Sequence, residues 1–186
     1  AMQRIGIIPA RYHASRFQGK VLAVITEKTV LQSVYEQAAQ AGLDDLIVAT
    51  DHEAVRDHVE AFGGRAVMTD PALSSGTDRC AAALGQLGLA PDVVVNIQAD
   101  EPFIEPTEIQ QLSKAFEQPE VSIATLAKRI KEPDDLYSPN VVKVACDQQG
   151  RALYFSRATI PYLRDVKLPQ WVTHHPFYQH LGIFLC

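Results

Sequence analysis

The chain has 186 residues, of which 47% are hydrophobic and 21% are charged, and its formal net charge is -5. This is ordinary globular composition, with enough apolar material for a core. The acidic balance argues against a nucleic-acid polymer as partner, because such a binder needs a basic face for phosphates. No apolar run approaches the roughly 20 residues that span a bilayer, so we expect no membrane partner.

The three cysteines, Cys80, Cys146 and Cys186, are far apart and match neither a zinc spacing nor a disulfide framework. Their pattern predicts a reducing, cytoplasmic location, and the first residues lack the pattern of a signal peptide. Cys80 lies in an alanine-rich segment, which favours a small core residue over a nucleophile.

Along the first 120 residues or so, short apolar runs alternate four times with helical patterns. The strands are predicted at 5–8, 46–49, 66–68 and 93–97, and the helices at 29–41, 52–62, 77–88 and 106–117. Asp51 is a candidate N-cap for the second helix. Continuous apolar strands that alternate with helices predict an α/β fold whose mostly parallel sheet carries helices on both faces.

Beyond residue 120 the periodicity changes to that of strands. A strand is predicted at 122–130, a hairpin from 141–146 and 152–156, a loop at 161–176, and a last strand from Leu181. We therefore expect a single domain over 1–186 with a β-rich part at 122–180. Because the last residues are apolar and carry no polar stop, we also expect the natural protein to be longer.

The loop after the first strand, residues 9–20, carries three cations: Arg11, Arg16 and Lys20. In open parallel sheets, ligands bind beyond the carboxyl ends of the strands, which is where this loop lies. Clustered cations repel one another unless an anion joins them, so a triphosphate is a candidate ligand. The spacing does not match a Walker A motif, and a solvated basic loop is the alternative interpretation.

Polar residues also follow the strand at 93–97. Asp100 is placed to hold Mg²⁺ on nucleotide phosphates, and Gln98 offers a donor and an acceptor to a base or sugar. The alternative is that Asp100 caps the next helix.

Two further segments carry weaker signals. Ser75 and Gly76 precede a helix, whose N-terminus attracts anions, although a plain N-cap explains them equally. Arg157 and Arg164 follow a strand and suit a carboxylate ligand, although surface ion pairing is the alternative.

The order of five segments carries a resemblance to a known family. The segments PARYHASRFQGK, VATDHEAV, SSGTDR, VVVNIQADEP and NVVKVACDQQGRALYFSRATIPY together resemble the CMP-Kdo synthetases, the 3-deoxy-manno-octulosonate (Kdo) cytidylyltransferases. The resemblance implies a nucleotidyltransferase-type sheet with a small mixed β dimerisation subdomain and a homodimer. It also implies transfer of CMP from CTP to Kdo, which activates this acidic sugar for lipopolysaccharide synthesis.

The resemblance further implies the roles of individual residues. Arg11, Lys20 and Asp100 are expected to be catalytic. The expected triphosphate contacts are Arg11, Lys20 and the neighbouring Arg16, the cytosine pocket includes Ser75 and Gly76, the Mg²⁺ ligand is Asp100, and the sugar contacts are Gln98, Arg157, Arg164 and His180.

Several positions depart from the family pattern. The loop that begins at residue 9, called the phosphate loop below, lacks two prolines that the family pattern has. Their absence predicts greater flexibility of this loop before nucleotide binds. Ala99 stands where the family has glycine, and Phe184 stands where a tyrosine is common. A later segment with a second metal-binding carboxylate is absent. These departures leave two alternatives open: a cytidylyltransferase for another acidic sugar, such as a nonulosonic acid or amino-Kdo, and a CTP-binding module without catalysis.

Overall fold

The computed structural model describes residues 2–13 and 19–186, which form two compact units. The first unit comprises the chain up to Ala124 together with Ile183–Cys186, and the second comprises Thr125–Gly182. The single domain with a β-rich part at 122–180 stays a prediction. Across the described ranges, no helix has both the length and the apolar character that a membrane span requires.

The first unit alternates strands and helices. In chain order its elements are β1 (Arg4–Ala10), a 3-10 helix (Lys20–Leu22), β2 (Val24–Ile25), β3 (Lys28–Thr29), α1 (Val30–Ala39), β4 (Asp45–Thr50), α2 (Glu53–Ala61), β5 (Ala66–Met68), α3 (Gly76–Leu87), β6 (Val93–Asn96) and α4 (Pro106–Ala115). The four predicted strand–helix repeats are confirmed.

The sheet of this unit is built around β1. Strand β1 pairs in parallel with both β4 and β6, and β5 pairs in parallel with β4. The end of a last strand, β10 (Tyr178–Leu185), pairs antiparallel with β6 through Phe184 and Leu185. The predicted mostly parallel sheet is therefore confirmed.

Helices cover both faces of the sheet. On one face, Ile7 of β1 and Ile47 of β4 pack in a core cluster with Cys80 and Ala83 of α3. Helix α1 also contacts β1 and β4 and packs beside α4. Cys80 is the small core residue that the sequence predicts, and burial raises the pKa of its thiol to about 12.

The predicted cap of α2 is wrong. His52 is the N-cap, and its Nδ1 accepts a hydrogen bond of 3.1 Å from the backbone N–H of Ala54. The carboxylate of Asp51 is instead buried, where it contacts the backbone N–H of Tyr12 and the guanidinium of Arg79. The sequence reasoning also missed the short β2–β3 ribbon, because two-residue strands show no periodicity.

The second unit is mainly β. It contains β7 (Ala124–Arg129), α5 (Pro133–Tyr137), β8 (Lys143–Cys146), β9 (Ala152–Ser156), a 3-10 helix (Leu168–Gln170), α6 (Trp171–His174) and the start of β10. Strands β8 and β9 form the predicted antiparallel hairpin, and β8 also pairs with β10. Helix α6 and the preceding 3-10 helix lie in the predicted loop at 161–176, which is therefore partly wrong.

Trp171 packs in the separate core of this unit. It stacks on Phe177 at a ring-centroid distance of 6.0 Å, beside Ile130, Leu136 and Val172. This tryptophan is the only one in the chain, so its fluorescence reports directly on the folding of the second unit.

Lys143 is fully buried in the second unit, where its ammonium group is held by backbone oxygens. Its Nζ donates hydrogen bonds to the carbonyl oxygens of Ser138, Val141 and Arg157, at 2.8, 2.8 and 2.6 Å. An ammonium has three N–H donors, so each donor has a partner. Burial, and secondarily the charge of Arg157, lower the pKa of Lys143.

We predict that Lys143→Met lowers the free energy of unfolding by about 2–4 kcal/mol, because three carbonyl oxygens lose their donor. Denaturant unfolding followed by the fluorescence of Trp171 measures this change. The matched control is Lys128→Met, at an exposed position, with an expected effect within about 0.5 kcal/mol. Equal effects of the two substitutions would contradict a stabilising role for the Lys143 hydrogen bonds.

Candidate functional site

A cleft of about 230 Å³ lies in the first unit, where β1 and β6 end side by side. Its lining residues are Pro9, Arg11, Lys20, Val21, Gly76, Gln98, Ala99 and Asp100. The parallel pairing of β1 with β6 brings the loops that follow these strands to one edge. The structure thus brings together the predicted residues Arg11, Lys20, Gly76, Gln98 and Asp100.

Lys20 and Asp100, which are 80 positions apart in the sequence, form an ion pair in this cleft. The Nζ of Lys20 donates a hydrogen bond of 2.9 Å to Oδ2 of Asp100. The two side chains are 51% and 49% exposed. An ion pair with this exposure contributes little stability, so either partner can exchange the other for a ligand of opposite charge.

The backbone holds the described ends of the phosphate loop together. The N–H of Gly19 donates a 2.8 Å hydrogen bond to the carbonyl oxygen of Tyr12. Gly19 has a φ of +68°, a left-handed conformation that favours glycine. This contact fixes the residue directly before Lys20. Arg16, another predicted phosphate contact, lies outside the described residues.

Gly76 begins α3 and closes one side of the cleft. A Cβ at this position would lie 3.2 Å from Cγ of Pro9, so glycine permits the close approach of α3 to β1. Ser75 is the N-cap, and its Oγ accepts a 3.0 Å hydrogen bond from the N–H of Asp78. The hydroxyl of Ser75 is therefore engaged in capping, whereas Gly76 itself faces the cleft.

Gln98 and Ala99 form the cleft wall that follows β6. The Nε2 of Gln98 donates a 3.3 Å hydrogen bond to Oδ1 of the buried Asn96, and this contact orients the amide. Ala99 is 7% exposed and lines the cleft. Its methyl group occupies space that a glycine would leave open.

The other predicted sugar contacts lie in the second unit. Arg157 donates a 2.8 Å hydrogen bond from Nη1 to the carbonyl oxygen of Pro139. Arg164 pairs with its neighbour Asp165, and both side chains are highly exposed. The structure does not relate these two arginines to Gln98, which belongs to the first unit.

His180 is the half-buried member of the predicted sugar contacts. Its Nε2 lies 2.8 Å from Oγ1 of Thr125, and its ring meets that of Phe155 edge-on at 5.1 Å. Burial lowers the pKa of His180, because the charged imidazolium loses hydration.

The residues that sequence reasoning missed at this site are Asp51 and Arg79. Asp51 directly follows β4, and Arg79 belongs to α3. Both side chains are almost completely buried, at 5% and 0% exposure, and they lie beneath the loop that carries Arg11. A buried arginine near a helix start has no periodic signature, so the available signal was a charged residue followed directly by the small residues of 80–83.

We predict that the pH dependence of stability changes when His180 is replaced. Because its folded-state pKa is lowered, this histidine costs no stability above about pH 6.5. Below that pH the unfolded chain takes up a proton that the folded chain resists. The unfolding free energy of the parent should therefore fall as the pH decreases from 7 towards 5, and His180→Gln should fall less steeply.

Denaturant unfolding at a series of pH values measures these slopes. The control Gln148→Asn, at an exposed position without a titratable group, should keep the slope of the parent. A His180→Gln protein with an unchanged slope would contradict the role of burial at His180.

Comparison with known proteins gives one consistent result. Residues 5–185 match a family model described as cytidylyltransferase. The 3-deoxy-manno-octulosonate cytidylyltransferase of Parabacteroides distasonis is 46% identical over 187 residues, which cover 98% of this chain and 74% of that protein. The enzyme of the same name from Vibrio vulnificus is 46% identical over 180 residues, with coverage of 96% and 72%.

A solved structure is similar over the same extent. It is a CMP:2-keto-3-deoxy-manno-octonic acid synthetase complexed with CTP, with a TM-score of 0.88 and 37% sequence identity. The match covers 98% of this chain and 73% of that one.

Proposed function

The chain belongs to the cytidylyltransferase family, and within it to the 3-deoxy-manno-octulosonate cytidylyltransferases, and we propose that it transfers CMP from CTP to Kdo. The observation that carries this proposal is the convergence of Arg11, Lys20, Gly76 and Asp100 in one cleft. Cations beside a helix N-terminus suit a triphosphate, and a carboxylate beside them suits its counter-ion.

The reaction is a displacement at phosphorus. The anomeric hydroxyl oxygen of the sugar bonds to the α-phosphorus of CTP, the bond from that phosphorus to the bridging oxygen breaks, and pyrophosphate leaves. The hydroxyl proton passes to solvent. Such transfers depend mainly on positioning and on neutralising the phosphate charge. Arg11 and Lys20 supply that neutralisation, and the start of α3 at Gly76 adds a positive helix end.

The substrate sugar is acidic, so its recognition needs hydrogen-bond donors. Gln98 faces the cleft with an amide that Asn96 orients, and this geometry supports a contact with a sugar hydroxyl. The guanidinium groups of Arg157 and Arg164, together with His180, are the proposed contacts of the sugar carboxylate. Arginine suits this role because its two parallel N–H groups match the two oxygens of a carboxylate.

We propose Mg²⁺ as the metal partner, held by Asp100. Its side chain is 49% exposed in the cleft, and its ion-pair partner in the described part of the chain is the exposed Lys20, so an oxygen ligand is available. Mg²⁺ usually takes one or two carboxylates and completes its shell with phosphate oxygens and water. The described ranges contain no cluster of three metal-binding side chains. When bound, the metal neutralises triphosphate charge.

The test is pyrophosphate release from CTP, Mg²⁺ and Kdo. We predict that Asp100→Asn lowers this rate by about 100-fold or more, because one charged group at the reacting phosphates is lost. Asp57→Asn, at an exposed position on α2, is the control and should retain the parent rate. Full turnover by Asp100→Asn would contradict the metal role.

The parent protein distinguishes the remaining alternatives. Pyrophosphate release with a nonulosonic acid or amino-Kdo, but none with Kdo, would show that the substrate is an acidic sugar other than Kdo. CTP binding without release from any acidic sugar would identify a binding module.

We also propose that two copies of the chain associate through β9. This strand lies at the end of the strand order, and it exposes three consecutive large side chains, Leu153, Tyr154 and Phe155, at 69%, 64% and 42%. An edge strand with exposed apolar side chains is a template for pairing with another chain. A second copy offers the same strand, which gives a self-complementary contact.

Tyr154→Lys should convert the dimer into a monomer, because it places a charge in the apolar contact. Sedimentation velocity measures the change. Phe103→Lys, at a residue of the first unit that is 85% exposed, is the control and should leave the dimer intact. A Tyr154→Lys protein that stays dimeric would rule out β9 as the contact.

A further inference from the structure

A buried ion pair lies beneath the candidate active site, where three loops of the first unit converge. Its members are Asp51, in the loop that follows β4, and Arg79 of α3, with Nη2 of the arginine 3.5 Å from Oδ2 of the aspartate. The side chains are 5% and 0% exposed. Neither residue lines the cleft, so neither is a candidate for direct contact with substrate.

Arg79 is held from several sides. Its Nη1 donates hydrogen bonds to Oγ1 of Thr69 at 2.5 Å and to the carbonyl oxygen of Asp70 at 3.4 Å. Thr69 in turn donates from its hydroxyl to the carbonyl oxygen of Thr50 at 3.1 Å. Within residues 2–13 and 19–186, the Nε of Arg79 has no hydrogen-bond partner. A buried guanidinium needs a carboxylate, and Asp51 supplies it.

The two oxygens of Asp51 act on the phosphate loop. Oδ1 accepts a 3.1 Å hydrogen bond from the backbone N–H of Tyr12. Oδ2, which faces Arg79, also lies 3.9 Å from Nε of Arg11. A single buried carboxylate therefore contacts both the backbone of the loop and the arginine that lines the cleft.

Through Tyr12 the same carboxylate reaches the second cation. The carbonyl oxygen of Tyr12 accepts the hydrogen bond from the N–H of Gly19, and Lys20 follows directly. The ring of Tyr12 also stacks on His52, which neighbours Asp51, at 4.0 Å. The backbone of a single residue, Tyr12, is thus fixed by the residue that follows β4 and in turn fixes the residue before Lys20.

We infer that Asp51, locked in place by Arg79, is a positioning residue that sets Arg11 and Lys20 for the triphosphate. This inference rests on the proposed function, because it assigns a purpose to the placement of the two cations. A purely structural role does not need this arrangement, since apolar side chains often replace a buried ion pair without loss of stability. The hydrogen bond to Tyr12 and the negative charge that faces Arg11 are contributions that an apolar side chain cannot make.

The experiment separates stability from positioning with a pair of variants. Asp51→Ala removes the carboxylate and leaves a buried arginine unpaired, so it should be destabilised. Asp51→Ala combined with Arg79→Met removes both charges and should recover the denaturant midpoint of the parent. CTP affinity by calorimetry, and KM and kcat for pyrophosphate release, are measured on both. Glu36→Gln, which alters the exposed ion pair with Lys28, is the control.

We expect the double variant to recover stability and still to bind CTP at least tenfold more weakly, with kcat/KM lowered by about 100-fold, as a small misplacement of a binding group can cause. Recovery of CTP affinity together with stability would overturn the inference, because the role would then be structural alone.

Asp51→Asn keeps the inference testable if the double variant does not fold. Its amide oxygen can still accept from the N–H of Tyr12, but the charge shared by Arg79 and Arg11 is gone. Its CTP affinity should lie between those of the parent and Asp51→Ala, and parent-like affinity would overturn the inference. A parent protein that neither binds CTP nor releases pyrophosphate would instead refute the proposed function.

Discussion

The parallel pairing of β1 with β4 and β6 is the constraint on which the first unit depends. It aligns Ile5 of β1 with Asp45 of β4 and with Val94 of β6, so the three strands run together and end at one edge. Every loop that contributes to the cleft follows one of these strands or precedes α3. A one-residue register shift in one strand would move each of its side chains to the opposite face of the sheet and would displace the loop that follows it.

Charge in this region is organised in two layers. In the upper layer, the exposed Lys20 and Asp100 neutralise each other across the cleft. In the lower layer, Arg79 and Asp51 form a pair that solvent barely reaches. The lower pair is fixed by burial and by neighbouring hydroxyl and carbonyl groups, whereas the upper pair is free to exchange partners. Arg11 connects the two layers, since it lines the cleft and approaches Asp51.

The sequence allowed prediction of those features that repeat along the chain. Alternating apolar runs and helical patterns located the four strand–helix repeats, and motif order placed Arg11, Lys20, Gln98 and Asp100 at one edge. Features that depend on a single distant contact were not predictable. The position of Asp51 in the sequence matches a helix cap. In the structure its side chain is buried, and His52 is the N-cap.

The same limit applies in the second unit. The burial of Lys143 among backbone carbonyls has no local signature, because lysine in a strand is normally exposed. Helix α6 has only four residues, which is too short to show a helical periodicity. The three prolines of residues 161–176 therefore led to the prediction of a loop.

The ion pair between Lys20 and Asp100 has a consequence for selectivity. A ligand that carries charge of one sign satisfies one member of the pair and leaves the other without its partner. A ligand that presents both signs at once, such as a nucleotide accompanied by its own counter-ion, gives each member a new partner in a single event. Binding of such a ligand therefore leaves neither Lys20 nor Asp100 without an opposite charge.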